Sequence, residues 1–128
     1  MNGHFLVGLA VLILAGCGDD STGPSKPPPS GTATKKIVQI GNNFFSPKDL
    51  AVARGDTVVW FNGGSAGHTT TSGAGCASDG LWDSGGLGNG GSFSVVFSDD
   101  GVSQTGTIPY YCIPHCGMGM TGTVTVNP

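Results

Sequence analysis

The chain has 128 residues, of which only 10% are charged, and its formal net charge is -3. This balance is too mild to predict a nucleic-acid partner, and Lys35-Lys36 is the only pair of adjacent basic residues. Glycine is abundant, with 24 residues, and glutamate is absent, so short strands joined by turns are favoured over helices. The length suits one compact domain with additional segments.

The N-terminus has the pattern of an export signal. An apolar run from Phe5 to Ala15 is shorter than the roughly 20 residues that a membrane-spanning helix needs. The run ends in Leu14-Ala15-Gly16-Cys17, which resembles a bacterial lipobox. We therefore expect a lipoprotein signal peptide over residues 1–16 and lipidation of Cys17. The first four residues contain no Lys or Arg, which departs from the usual signal, and an ordinary secretory signal with an incidental cysteine is the alternative.

Residues 17–34 follow as a segment rich in proline, serine and glycine, with almost nothing apolar. Such a segment cannot bury a core, so we expect a flexible tether. The folded domain is predicted over residues 35–128. Together these segments predict a domain anchored by lipid in the bacterial cell envelope, on its periplasmic or extracellular face.

The predicted domain alternates short β-like runs with turn residues. Apolar residues recur at period two, which is typical of two sheets packed face to face, so we predict an all-β Greek-key β-sandwich of 7–8 strands. The strands are predicted at residues 35–40, 50–53, 57–62, 68–71, 92–97, 107–112 and 121–126. The predicted core contains Ile37, Ile40, Phe45, Val52, Val58, Trp60, Phe93, Val95, Phe97, Tyr110, Tyr111, Val124 and Val126.

The stretch before the last predicted strand collects residue types that bind soft metal ions. Cys112, His115 and Met120 have the spacing Cys-x-x-His-x-x-x-x-Met, and His68 lies far upstream. Two imidazoles, one thiolate and a weak axial thioether suit a mononuclear blue-copper site. Met118 is an alternative axial ligand. Each residue taken alone also has a structural interpretation, as a strand-end histidine, a buried thiol or a core methionine.

Three blocks of the sequence resemble the cupredoxins of the plastocyanin, pseudoazurin and azurin type. The blocks are FSP through GDTVVWFN to His68, then GSFSVVF, then YYCIPH through to MTG, and their order and spacing are those of the family. The resemblance implies one copper ion, cycling between Cu(I) and Cu(II), bound by His68, Cys112 and His115 in a plane with Met120 as axial ligand. It also implies single-electron exchange by a monomer that docks transiently with redox partners.

The apolar rim around His115 is the expected docking face. Ile113, Pro114 and Met118 lie beside that imidazole in the sequence and would give a small, transient interface.

Residue 69 departs from the family pattern. Many relatives have asparagine after the upstream histidine ligand, with an amide that ties the loops beside the cysteine sulfur, whereas this chain has Thr69. A hydroxyl can replace part of that hydrogen bonding.

Two cysteines are not needed for copper. In an exported protein such a pair is expected to form a disulfide, so we predict a bond between Cys76 and Cys116 that ties the two ligand-bearing loops. The alternative is a binuclear copper centre built on Cys112 and Cys116. That pattern requires a histidine where Met120 stands and a methionine where Thr123 stands.

The histidine count separates a carrier from an enzyme. Of the 3 histidines, His4 belongs to the expected signal peptide and the other two are assigned to the mononuclear site. None is left for a second copper centre or for a hydrolase base. We therefore expect an electron carrier and not an enzyme, with a copper chaperone or store as the alternative and a structural module with a vestigial site as the weakest interpretation.

Overall fold

Two four-stranded sheets pack face to face in the computed structural model, which describes residues 31–128. The strands are β1 (Lys35–Ile40), β2 (Phe45–Ser46), β3 (Asp49–Ala53), β4 (Thr57–Asn62), β5 (Thr71–Ser72), β6 (Ser92–Val96), β7 (Gly106–Tyr111) and β8 (Thr121–Asn127). The first sheet has the order β2-β1-β4-β6 and the second has the order β3-β8-β7-β5. The predicted all-β sandwich of 7–8 strands is confirmed.

Each sheet contains one parallel pair of strands that are distant in sequence. Strand β1 runs parallel to β4, with Lys35 opposite Thr57 and Ile40 opposite Asn62. Strand β3 runs parallel to β8, and β7 pairs antiparallel with β8. The ends of β4 and β7 carry the chain into the loops that hold His68 and Cys112.

The core lies between the sheets and is dominated by aromatic rings. Trp60 packs against Tyr110 and Trp82 with ring centroids 5.4 and 5.5 Å apart, and Tyr110 packs against Phe45 at 4.7 Å. Such edge-to-face and tilted pairs add stability beyond the area they bury. The predicted core residues are buried with two exceptions, because Ile37 is exposed and Phe93 is half-buried.

Ile37 was wrongly expected in the core, since 51% of its surface is exposed. Successive side chains of a strand point to opposite faces of the sheet, so residues three apart cannot both face inward. Val38 and Ile40 take the inner face of β1, and Ile37 is left on the outer face.

The predicted strand over residues 68–71 is also wrong in part. His68 forms only a single bridge, opposite Leu87, and β5 is limited to Thr71 and Ser72. The other predicted strands agree with the structure to within one residue at each end. A 3-10 helix, Ile113–Met118, stands where the sequence indicated only a loop.

The expected signal peptide, the lipidated Cys17 and most of the tether lie outside the described residues. Within residues 31–128, no helix is both long enough and apolar enough to cross a membrane.

Candidate metal centre

Three of the expected ligands lie in the short connection between β7 and β8. Cys112 directly follows β7 and is the N-cap residue of the 3-10 helix Ile113–Met118, which has a proline in its first turn. Gly119 follows the helix as its C-cap, with a φ of 81°, the left-handed conformation that glycine adopts without strain. Met120 comes next, immediately before β8. The connection is therefore a tight turn whose shape is specified by its own proline and glycine.

Backbone hydrogen bonds close this turn on itself. The N–H of His115 donates to the carbonyl of Cys112 at 3.2 Å, and the N–H of Met120 donates to the carbonyl of His115 at 3.3 Å. The N–H of Cys112 donates in turn to the carbonyl of Met120 at 3.1 Å. Each of these three residues is thus bonded to the other two through the backbone.

His68 reaches the same place from the other loop. The Cys112 Sγ atom lies 3.4 Å from Nδ1 of His115 and 3.6 Å from Nδ1 of His68. The donor atoms of all three side chains lie within 4.8 Å of one another. The structure therefore brings together one thiol and two imidazoles from positions more than 40 residues apart in sequence.

The electrostatic environment favours a neutral imidazole at His68. Burial lowers the pKa of His68, and the neighbouring His115 lowers it further. The neutral ring is the form that binds a metal ion. His68 is 1% exposed and Cys112 is fully buried, whereas His115 is partly exposed.

These spacings fit a metal ion at the centre of the three donors. Metal–sulfur and metal–nitrogen bonds of about 2.3 and about 2.0 Å, at about 120° to each other, separate sulfur from nitrogen by roughly 3.7 Å. The observed separations of 3.4 and 3.6 Å are close to this value. A thiolate with two imidazoles in this arrangement is the ligand set of a blue-copper site.

The two methionines of the turn have different environments. Met120 is fully buried beside Cys112 in the core, whereas Met118 is 63% exposed. Met120 is also bonded through its backbone to both Cys112 and His115. The axial position is therefore assigned to Met120, as expected, and not to Met118.

Thr69 ties the two ligand-bearing loops together. Its N–H points at Cys112 Sγ at 3.4 Å, and its Oγ1 accepts a hydrogen bond from the N–H of Ile113 at 2.9 Å. The hydroxyl therefore makes the link across the loops that the sequence left uncertain at this position.

A disulfide bond joins Cys76 to Cys116, 40 residues apart in sequence. Cys116 lies in the 3-10 helix next to the ligand His115, so the bond ties the turn after β7 to the loop after His68. This bond engages Cys116 and leaves Cys112 as the one free thiol among the described residues. The binuclear alternative, which needed both cysteines as ligands, is therefore wrong.

Comparison with known proteins gives the same assignment. Residues 33–127 match the model of the copper-binding proteins of the plastocyanin/azurin family. The chain belongs to this family. It is therefore a cupredoxin, and its cofactor is a single copper ion bound by His68, Cys112, His115 and Met120.

Individual relatives cover most of the described domain. Plastocyanin from Capsella bursa-pastoris is 30% identical over 100 residues, which are 68% of this chain and 91% of that protein. Chloroplastic plastocyanin from Physcomitrium patens is 35% identical over 106 residues, which are 75% of this chain and 60% of that protein.

Solved structures of other cupredoxins superimpose on this chain. The purple cupredoxin from Nitrosopumilus maritimus superimposes with a TM-score of 0.62 at 30% identity, over 72% of this chain and 99% of that one. The Cu(I) form of an amicyanin variant gives 0.60 at 26% identity, over 77% and 87% of the two chains.

Sequence reasoning missed how the cupredoxin holds the loop after His68. Trp82 donates from its indole Nε1 to Thr70 Oγ1 at 3.1 Å and from its backbone to Ser72 Oγ at 2.9 Å. Thr70 donates its N–H to Ser84 Oγ at 2.9 Å. The segment around Trp82 thus covers residues 68–72. The sequence signals for it were the run of small hydroxyl residues, Thr69 to Ser72, and Trp82-Asp83-Ser84-Gly85, which resembles a strand-turn element of the family.

Proposed function

We propose that this cupredoxin carries single electrons between redox partners outside the cytoplasm. The observation that carries this proposal is the unequal exposure of the ligands, because His68, Cys112 and Met120 are buried whereas His115 is partly exposed. When bound, the copper ion supplies the one-electron couple Cu(I)/Cu(II). A site open through one imidazole edge suits electron exchange without release of the metal.

The surrounding residues favour a carrier over the alternative of a copper chaperone or store. A chaperone transfers its metal through exposed and exchangeable ligands, whereas Cys112 is 0% and His68 is 1% exposed here. The closed turn from Cys112 to Met120, with its hydrogen bond to Thr69, also holds the ligands in one arrangement. Little then has to move when the charge of the site changes by one.

Spectroscopy of the full chain, loaded with Cu(II), tests the copper chemistry directly. We expect an intense blue thiolate-to-copper absorption band with narrow copper hyperfine splitting in electron paramagnetic resonance. Both should be lost in Cys112→Ser, because a serine hydroxyl cannot supply the thiolate. A pale spectrum that does not depend on Cys112 would favour copper storage instead.

The proposed docking face is the rim around His115. Ile113 is 52% and Met118 is 63% exposed, and Pro114 between Ile113 and His115 is exposed as well. These exposed apolar residues belong to the same 3-10 helix as His115, the one partly exposed ligand, which suits a small, transient interface of a monomer with a redox protein.

Paired charge substitutions test this docking face. We expect Ile113→Asp to slow electron exchange with a small redox protein about tenfold while the blue band is unchanged. Ile37→Asp is the matched control, since Ile37 is 51% exposed but lies on the outer face of β1. Equal slowing by both variants, or by neither, would argue against this docking face.

We also propose that the protein works in the bacterial cell envelope, anchored through lipid on Cys17. The lipobox-like sequence supports the anchor, and the bond between Cys76 and Cys116 is typical of proteins in oxidising compartments. Cells that express the full chain and grow with a radiolabelled fatty acid should label the wild type but not Cys17→Ser. Equal labelling of both proteins would exclude this anchor.

A further inference from the structure

A chain of three hydrogen bonds leads away from the ligand turn. The N–H of Ile113 donates to Thr69 Oγ1 at 2.9 Å, Thr69 Oγ1 lies 3.0 Å from Thr71 Oγ1, and Thr71 Oγ1 lies 3.1 Å from Asp83 Oδ1. Thr71 is fully buried and Thr69 is 8% exposed, whereas Asp83 reaches the surface. The chain therefore connects the residue next to the cysteine ligand with a surface carboxylate.

The number of available protons fixes which group donates in each of these three hydrogen bonds. A carboxylate only accepts hydrogen bonds and each hydroxyl has one proton, so Thr71 donates its proton to Asp83. Thr71 can then only accept from Thr69, which uses the one hydroxyl proton that Thr69 has. The Thr69 oxygen is left with acceptor capacity alone, and it faces the N–H of Ile113.

We propose that Asp83 and Thr71 are positioning residues of the copper centre. They orient the Thr69 hydroxyl as an acceptor, and that hydroxyl holds the Cys112–Ile113 peptide against the loop that follows His68. Hydrogen bonds of this kind polarise one another, so a charged acceptor at one end strengthens the bond at the other. The inference depends on the copper site but not on the electron-carrier role.

The backbone around Asp83 supports this role. Asp83 forms an isolated bridge with Thr71, and its Oδ1 also accepts the N–H of Gly85 at 2.9 Å. Thr71 in turn lies opposite Tyr111, the residue before Cys112. The carboxylate is thus fixed in a turn that is paired with β5, and β5 is paired with the strand that leads into the ligand turn.

Amide hydrogen exchange of the full-length protein, without and with copper, measures how well the bond from the Ile113 N–H to Thr69 is kept. We expect the Ile113 amide to exchange about tenfold faster in Thr71→Val, which keeps the shape of the side chain but removes the hydroxyl. Thr71→Ser keeps the hydroxyl and should stay within about twofold of wild type. The Phe97 amide, which donates to the Asp56 carbonyl at 2.9 Å, is the control for global stability and should not change.

A double-variant cycle tests whether Asp83 acts through Thr71. Asp83→Ala alone should also speed the exchange of the Ile113 amide, but it should cause no further increase in the Thr71→Val background. An independent effect of Asp83→Ala in that background would overturn the proposal. Unchanged exchange at Ile113 in Thr71→Val, or equal acceleration at Phe97, would overturn it as well. If Thr71→Val does not fold, Asp83→Ala with the Ile113 and Phe97 readouts decides the question.

The reduction potential of the copper-loaded protein provides the second readout. Thr71→Val changes no charge, so a shift in its potential that Thr71→Ser restores reports the position of the Thr69–Cys112 contact. An unchanged potential in Thr71→Val would contradict the inference. If no variant forms a blue site, the electron-carrier proposal fails. The positioning role of Asp83 and Thr71 is then still tested without copper, by whether the Ile113 amide exchanges faster in Thr71→Val or at the wild-type rate.

Discussion

Two methionines two residues apart have opposite surroundings, and this difference gives a test of the axial ligand. Met120→Leu removes a weak electron donor from a fully buried position, so we expect the reduction potential to rise while the blue band is kept. The two side chains have similar volumes, and the free energy of unfolding should fall by less than about 1.5 kcal/mol. Redox titration and chemical denaturation measure the two effects.

Met118→Leu is the matched control for this substitution. Met118 is 63% exposed, so its change should leave both the potential and the stability near those of wild type. A shift of equal size in the two variants would contradict the assignment of Met120 as the axial ligand.

The ligands could be predicted from the sequence because their chemistry depends on residue type and spacing. Cysteine, histidine and methionine in the order found at residues 112–120 serve few other purposes together. The partners of Thr69 could not be predicted in the same way. Hydroxyl residues are common, and only the three-dimensional path of the chain shows that Thr71 lies between Thr69 and Asp83.

At the scale of elements, the disulfide between Cys76 and Cys116 should stabilise the loops of the metal centre. It closes a loop of 40 residues, and restricting the unfolded chain by this much contributes about 2–4 kcal/mol. We therefore expect Cys76→Ala combined with Cys116→Ala to lose that amount of unfolding free energy. Denaturation of the copper-free protein by guanidinium chloride measures the loss.

A reductant control separates the bond from the substituted side chains. Dithiothreitol should lower the stability of the wild type to that of the double variant and leave the double variant unchanged. Loss of stability in the double variant without a matching effect of reductant would mean that packing of Cys116, and not the bond, provides the stabilisation.

Some elements were predictable and others were not, for reasons that differ between the loops. The turn after β7 contains its own signals, in the proline of its first turn and Gly119 at its end. The loop after His68 also contains glycines with positive φ, such as Gly73, but its residues 70–72 are held by Trp82 and Ser84 from a later segment. A strand was therefore expected there, whereas the structure has an isolated bridge and a strand of two residues.

On the scale of the whole molecule, the predicted Greek-key sandwich is correct, but period-two alternation did not identify which strands pair. Both parallel pairs, β1 with β4 and β3 with β8, join segments far apart in sequence, and alternation alone does not identify such partners. The error at Ile37 has a related origin, since alternation leaves open which of two adjacent apolar residues faces inward.

The start of the fold, remote in the sequence from the ligand turn, depends on one buried carboxylate. Asp56 is 4% exposed and accepts hydrogen bonds from the Thr34 N–H and hydroxyl, both at 2.8 Å, and from the Ala53 N–H at 2.9 Å. Lys36 Nζ lies 3.8 Å away. These contacts connect Thr34, which directly precedes β1, to the turn between β3 and β4.

The pKa of Asp56 gives this contact a pH dependence. Burial by itself would raise the pKa, but the hydrogen bonds from Ala53 and Thr34, with the charge of Lys36, hold it below its ordinary value of 3.8. A carboxyl group whose pKa is lower in the folded than in the unfolded state stabilises the fold fully above its unfolded pKa. That stabilisation is lost as the pH falls through the folded pKa.

We therefore expect Asp56→Asn to lower the free energy of unfolding at pH 7 by about 1–3 kcal/mol, the cost of losing buried hydrogen bonds to a charged group. Denaturation measured from pH 7 downward should show the gap to wild type closing below about pH 4, because protonation removes the same charge from Asp56. Asp100→Asn at an exposed position is the control and should leave the unfolding free energy nearly unchanged. A gap that stays constant with pH would mean that shape, and not charge, sets the contribution of Asp56. The blue band should be the same in all three proteins, since the carboxylate organises the start of the domain and none of the four copper ligands is among its hydrogen-bond partners.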